Sequence, residues 1–143
     1  QVNIIPPPDQ RALDQQHWRE LVDSIQHERF YFGEDSPLLD SGEAPKAVRM
    51  LEQLRELTAL AKKLELQHLQ ILIQGYADST GTDARNSRLS RDRALELRDF
   101  FIAHGVDPGL LTGMGVGSLG ASTLTAQQKR FAMLQVIYVM PHD

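Results

Sequence analysis

An acid and an arginine fifteen positions apart, Asp78 and Arg93, frame the stretch of this chain richest in residues able to do chemistry. The stretch reads Gly75-Tyr76-Ala77-Asp78-Ser79-Thr80-Gly81 and continues through Asn86, Leu89, Ser90 and Ala94. A carboxylate complements a cation, and a planar guanidinium grips a carboxylate with two parallel hydrogen bonds. Facing each other across a gap, the two complement a zwitterion; in direct contact they are a structural salt bridge. The residue types alone leave both readings open. The serines nearby have no histidine base in the local sequence, so nucleophilic hydrolysis has no support. The histidines at 17, 27, 68, 104 and 142 lack paired metal-ligand spacing. Asp78 and Asp83 flank a glycine-containing loop without calcium-loop spacing. The chain has no cysteine, which removes thiolate nucleophiles, disulfides and cysteine-based zinc sites together. No catalytic residue, metal or cofactor is expected. Gly115, Gly117 and Gly120 match the glycine spacing of a dinucleotide fingerprint, but no helix opens at once and no acid stands about 20 residues on along a second strand. They are read as turn and close-packing glycines.

The elements that must position Asp78 and Arg93 follow from hydrophobic spacing. Leu69, Ile71 and Ile73 alternate with Gln70, Leu72 and Gln74 as a strand, predicted to stop at Gly75 and open into the loop that carries Asp78. Ser90 is the expected cap of a helix running to about His104, with Leu89, Ala94, Leu97, Phe100 and Phe101 on its buried face; Gly105 ends it and Pro108 prevents its resumption. Upstream, Asp9 is placed to cap a helix to Gln26 with Leu13, Trp18, Leu21, Val22 and Ile25 on one side. Arg29 to Phe32 suits a strand. Val48, Leu51, Leu54, Leu57, Leu60 and Leu64 recur at the three- and four-residue steps of one buried helical stripe. Leu110–Val116 and Phe131–Met140 read as further strands, with a short helix around Thr125 to Arg130 between them. The result is an α/β fold, an α+β sandwich: a small mixed four-stranded sheet with helices packed on it, in βαβαβ(α)β order, preceded by an N-terminal helix.

At 143 residues, with 41% apolar and 24% charged side chains, the chain fits one domain with a real core. Its net charge is −4 and its lysines and arginines are dispersed among acids, which argues against nucleic acid as a partner. The longest apolar run, Ala132 to Met140 broken by Gln135, is too short to cross a bilayer as a helix, so no membrane insertion by this segment is expected. The start at Gln1 and the Pro6-Pro7-Pro8 run suggest a linker over 1–8 leaving a preceding module, and a targeting or anchoring segment elsewhere.

The motif through Asp78 and Arg93 resembles the signature of the OmpA-like peptidoglycan-binding family: glycine, an aromatic or histidine, a small residue and Asp, then Gly, Asn, Leu-Ser and Arg-Ala at fixed offsets. The likeness runs from about Arg29 to Met140. It implies a helical extension over 9–28 and the family domain over 29–143. It further implies a periplasmic, non-catalytic module that binds the diaminopimelate of peptidoglycan stem peptides and tethers a larger envelope protein to the cell wall, attached through a segment outside this chain. Asp78 then takes the place of the acid that meets the ligand's ammonium, and Arg93 that of the arginine that meets its carboxylate. With Ser90 as cap, Arg93 would sit in the first helical turn, where free N–H groups and the dipole also favour a carboxylate. Asn86 is expected to hold the loop and Leu89 to pack in the core, while Tyr76 either flanks the ligand or packs beneath the loop. Two departures stand out. Ala77 replaces the threonine usual before the acid, which removes one ligand hydrogen bond. With Ala132, Met133, Leu134 and Gln135 set against the family's Arg-Arg-Val-Glu, both arginines are missing; a shifted register uses Lys129 and Arg130 instead. These departures support the alternative of a homodimerisation or envelope-protein interaction domain with a degenerate ligand site.

Overall fold

The structure is a computed structural model and describes residues 9–78, 80–118 and 124–141. The expected linker over 1–8, together with Ser79, Gly120 and His142, lies outside those residues.

Asp9 caps helix α1 (Gln10–His27), its carboxylate accepting from Arg11 N at 3.1 Å. Trp18, Leu21, Val22 and Ile25 are buried as the spacing predicts. Leu13 is not: it is 44% exposed, and Asp14 takes the inward position with Gln10 and Lys63 as polar partners. Helix α2 follows strand β1 (Phe30–Tyr31) and spans Ala44–Lys63. It buries Ala47, Met50, Leu51, Leu54, Leu57 and Leu60, whereas Val48 is 54% exposed. The buried stripe enters the core through Ala47, and one residue further on the helix has turned by about 100° toward solvent.

Strand β2 (Gln67–Ala77), helix α3 (Asp83–Ala103), a 3-10 turn at Pro108–Leu110, strand β3 (Leu111–Ser118), the single-turn helix α4 (Ala126–Lys129) and strand β4 (Phe131–Val139) complete the chain. The sheet order is β1-β4-β2-β3, with β2 parallel to β3 and antiparallel to β4. The fold is therefore the expected mixed four-stranded α/β sheet with helices packed on it. Ile71 and Ile73 of β2 and Ala132, Leu134 and Val136 of β4 point into the helix-packed face. The opposite face presents Met114, Val116, Ile137 and Val139 to solvent. The α1 helix joins the same core: Trp18 is wholly buried, with its ring edge-to-face on Tyr138 at 5.1 Å.

Two boundaries differ from expectation. Strand β2 does not stop at Gly75 but continues to Ala77, with a register shift between Gly75 and Tyr76. Helix α3 begins at Asp83, not after Ser90; its cap is Thr82, whose hydroxyl accepts from Arg85 N at 3.2 Å. The run from Asp83 to Ser90 is polar because this extra helical length is largely exposed. It carries no apolar periodicity to announce a helix, and the cap lies seven residues before the first recognisable stripe.

Candidate functional site

Helix α3 can reach the end of β2 because glycines leave room for it. A Cβ at Gly75 would stand 1.9 Å from the Ser90 carbonyl oxygen, and one at Gly115 only 2.5 Å from Arg91 N. The helix backbone therefore lies directly on β2 and β3, and Arg93 is carried to the place where β2 gives way to the Asp78 loop. This is the close-packing role expected of Gly115; Gly117 supplies a turn-like φ of +87°.

Arg93 is 0% exposed. Its Nε donates to Ser36 O at 3.0 Å, Nη1 to Tyr76 O at 3.0 Å and Nη2 to Gly33 O at 2.9 Å, and its Cζ lies 5.6 Å from the Phe32 ring centroid. The guanidinium thus ties the β1–α2 turn to the end of β2. Burial pushes its pKa down to about 10, against the pull of Asp78, so it stays charged at neutral pH. Arg93 sits in the third turn of α3. The expected help from free N–H groups of a first turn does not apply, because the helix starts ten residues earlier.

Asp78 is 7% exposed and does not bond to Arg93. It accepts from Thr80 N at 3.0 Å and from the Thr80 hydroxyl, and its Oδ2 lies 3.4 Å from Arg130 Nη1. Burial alone would raise its pKa; the Thr80 and Arg130 contacts outweigh burial and hold it below the ordinary carboxylate value. Arg130 is fixed in turn by Nε donating to Phe32 O at 3.2 Å. The cluster is therefore an ionised acid between two arginines, one facing it through a salt bridge and the other coupled to it through space.

The remaining expected residues divide. Tyr76 lies on the open sheet face, its ring stacked on Phe131 at 4.5 Å between centroids. Ala77 is wholly buried at the end of β2. Asn86 is buried against the Gly81 turn, and its Oδ1 has no hydrogen-bond partner among the described residues. Leu89 is half-buried. Ser90 caps nothing: its hydroxyl, fully buried, donates to Ser87 O at 2.9 Å and accepts from Gly117 N at 2.9 Å, joining α3 to β3.

Thr80 was not singled out as a site residue in the sequence, and Arg130 entered only through the shifted register. The signal for Arg130 is strand pairing: Ala132 stands opposite Gly75, so the residues just before β4 lie beside those just after β2. That placement favours the register using Lys129 and Arg130 over the one on Ala132–Gln135.

The sequence profile of the OmpA family matches residues 31–132. Outer membrane protein A of Shimwellia blattae is 30% identical over 96 residues, 65% of this chain and 39% of that protein. Outer membrane protein A of Bordetella avium is 32% identical over 85 residues, 58% of this chain and 41% of that protein. The matched region thus spans about two fifths of the length of these curated relatives. Among solved structures, the peptidoglycan-associated lipoprotein from Burkholderia pseudomallei aligns with a TM-score of 0.62 at 24% identity, covering 76% of this chain and 89% of that one. The periplasmic domain of Helicobacter pylori MotB aligns with a TM-score of 0.59 at 15% identity, covering 75% and 69%. These two likenesses establish the shared fold.

Proposed function

This chain belongs to the OmpA family, and on that footing we propose that it is a non-catalytic peptidoglycan-binding domain that recognises the diaminopimelate unit of the stem peptide. The observation that carries the reading is the ionised Asp78 at the mouth of the cluster, held between Arg130 and Arg93. An acid kept charged by its neighbours and partly open to solvent is a receptor for an ammonium. Arg93 supplies the complementary grip when the turn carrying Gly33 and Ser36 lifts and a ligand carboxylate replaces those two carbonyl acceptors, which are weaker partners for a guanidinium than an anion is. Binding is then coupled to a small opening of the β1–α2 turn. The wider role is to tether an envelope protein to the wall from the periplasm, with peptidoglycan as partner. Among the described residues no helix is long and apolar enough to cross a membrane.

A second reading, a dimerisation or envelope-protein interaction domain, draws on two observations: Arg93 is wholly enclosed, and the open sheet face exposes Met114, Val116, Ile137 and Val139. Cosedimentation with purified diaminopimelate-type sacculi decides between them. The chain should pellet with the sacculi and release no soluble muropeptides. A folded chain that stays in the supernatant supports the interaction domain, and muropeptide release would show catalysis.

A further inference from the structure

On the open sheet face, a pocket of about 360 Å³ has Arg29, Tyr31, Tyr76, Gln128, Phe131 and Met133 in its walls. Its defining feature is an under-partnered cation. Arg29 is half-buried, its Cζ 4.9 Å from the Phe131 centroid, and its Nη1 donates to a thioether, Met133 Sδ, at 3.2 Å. A thioether is a weak acceptor, so a five-donor group has been partly desolvated against aromatic and sulfur surface with no acid meeting it among the described residues. No carboxylate is among the described residues lining the pocket. Glu43, which meets the backbone of the lining residue Tyr31, is engaged elsewhere: its Oε1 accepts from Tyr31 N and its Oε2 pairs with Lys46 Nζ at 2.7 Å. The tyrosine hydroxyls and the Gln128 amide add neutral polar groups. The pocket is therefore built for an anion flanked by apolar surface.

Its position says which anion. Tyr76 precedes Asp78 by two residues, about 7 Å along a strand, and Phe131 follows Arg130, whose guanidinium touches Asp78. A ligand whose ammonium rests at Asp78 has this pocket within about two residues' reach. We propose that the pocket takes a second carboxylate of the same ligand, carried on the residue adjoining the ammonium-bearing unit. In a wall stem peptide that group is the free α-carboxylate of the γ-linked glutamyl residue. This inference rests on the peptidoglycan reading above and adds a specificity to it: the domain distinguishes walls whose glutamyl carboxylate is free from walls in which it is amidated.

The test uses the full chain and two soluble diaminopimelate tetrapeptides that differ only in having a carboxylate or a carboxamide at that position, titrated by calorimetry. Wild type should bind the carboxylate form about tenfold more tightly, the effect of one charge-assisted pair. Arg29→Gln should erase the difference by weakening the carboxylate form to the level of the amide, and Arg29→Lys should restore part of it. Equal binding of both peptides by wild type, or an undiminished preference in Arg29→Gln, overturns the inference while leaving the Asp78 site standing. The separate failure shows itself differently: if wild type binds neither peptide, the peptidoglycan reading falls and this inference with it.

Discussion

Asp78 and Arg93 look like equal halves of one site, but their surroundings give them different tasks, and different experiments read them. Asp78 has an edge open to solvent, so Asp78→Asn should weaken binding of a diaminopimelate peptide by roughly ten- to a hundredfold, the worth of a charge-assisted hydrogen bond. The same substitution should change acid stability. The folded state holds the Asp78 pKa below its ordinary value, so its carboxylate stabilises the fold above the ordinary carboxylate range. That contribution fades as pH falls through the lowered folded value. Melting temperature should therefore fall less steeply below about pH 4 in Asp78→Asn than in wild type, and parallel acid limbs would show that the carboxylate gives the fold nothing. Arg93 is the more structural of the two, since its three nitrogens donate to Gly33, Ser36 and Tyr76 carbonyls. Lysine keeps the charge but not the planar fork, so Arg93→Lys should cost about 2–4 kcal/mol in urea unfolding before any ligand is added. Wild-type stability in that variant would mean the carbonyl contacts are dispensable.

Among the elements, the sequence made legible whatever was written in apolar periodicity. The alternation of Leu69, Ile71 and Ile73 and the steps of Leu51, Leu54, Leu57 and Leu60 located β2 and α2, and the order of elements followed from them. The start of α3 was illegible because its first two turns bury only the polar Asn86 and Ser90 and carry no apolar stripe, and with it went the argument that placed Arg93 near a helix terminus. The motif brought Asp78 and Arg93 to one place, yet the partners of each, Arg130 and the Gly33 and Ser36 carbonyls, come from segments joined only by strand pairing and a turn. No local spacing encodes those contacts. What local sequence does encode is the depth to which α3 sinks, through its glycines. Gly75→Ala would set a methyl against the Ser90 carbonyl, which is backbone and cannot swing aside. It should cost about 3 kcal/mol or more and loosen Arg93 from Tyr76. Gly113→Ala meets the Leu95 Cδ2 atom at 3.2 Å, the end of a flexible side chain, and should cost less than about 1 kcal/mol. Similar urea midpoints for the two variants would contradict the docking described.

At the scale of the whole molecule, the proposed function makes binding and opening one equilibrium. The β1–α2 turn stands over Arg93, its root closed by the Phe32–Leu39 bridge and its tip fastened to α3 by an ion pair between Asp35 and Arg85. On that proposal a carboxylate reaches Arg93 only from the state in which the tip has lifted, so the observed affinity is the intrinsic affinity multiplied by the fraction of molecules open. The ion pair is the most accessible handle on that fraction. Both partners are well exposed, so the pair is worth at most about 1 kcal/mol, and removing it should enrich the open state by no more than about fivefold. Asparagine is the substitution to use at position 35, because Asp35 has a φ of +54° and asparagine tolerates that left-handed backbone as readily as aspartate does. Asp35→Asn should therefore bind a diaminopimelate peptide about two- to fivefold more tightly, with a melting temperature close to that of wild type. Added salt should narrow the gap by screening the pair in wild type. Calorimetry of both proteins at low and moderate ionic strength measures this directly. Weaker binding by Asp35→Asn would place Asp35 among the ligand's own contacts, and identical binding would mean that the turn does not gate the site.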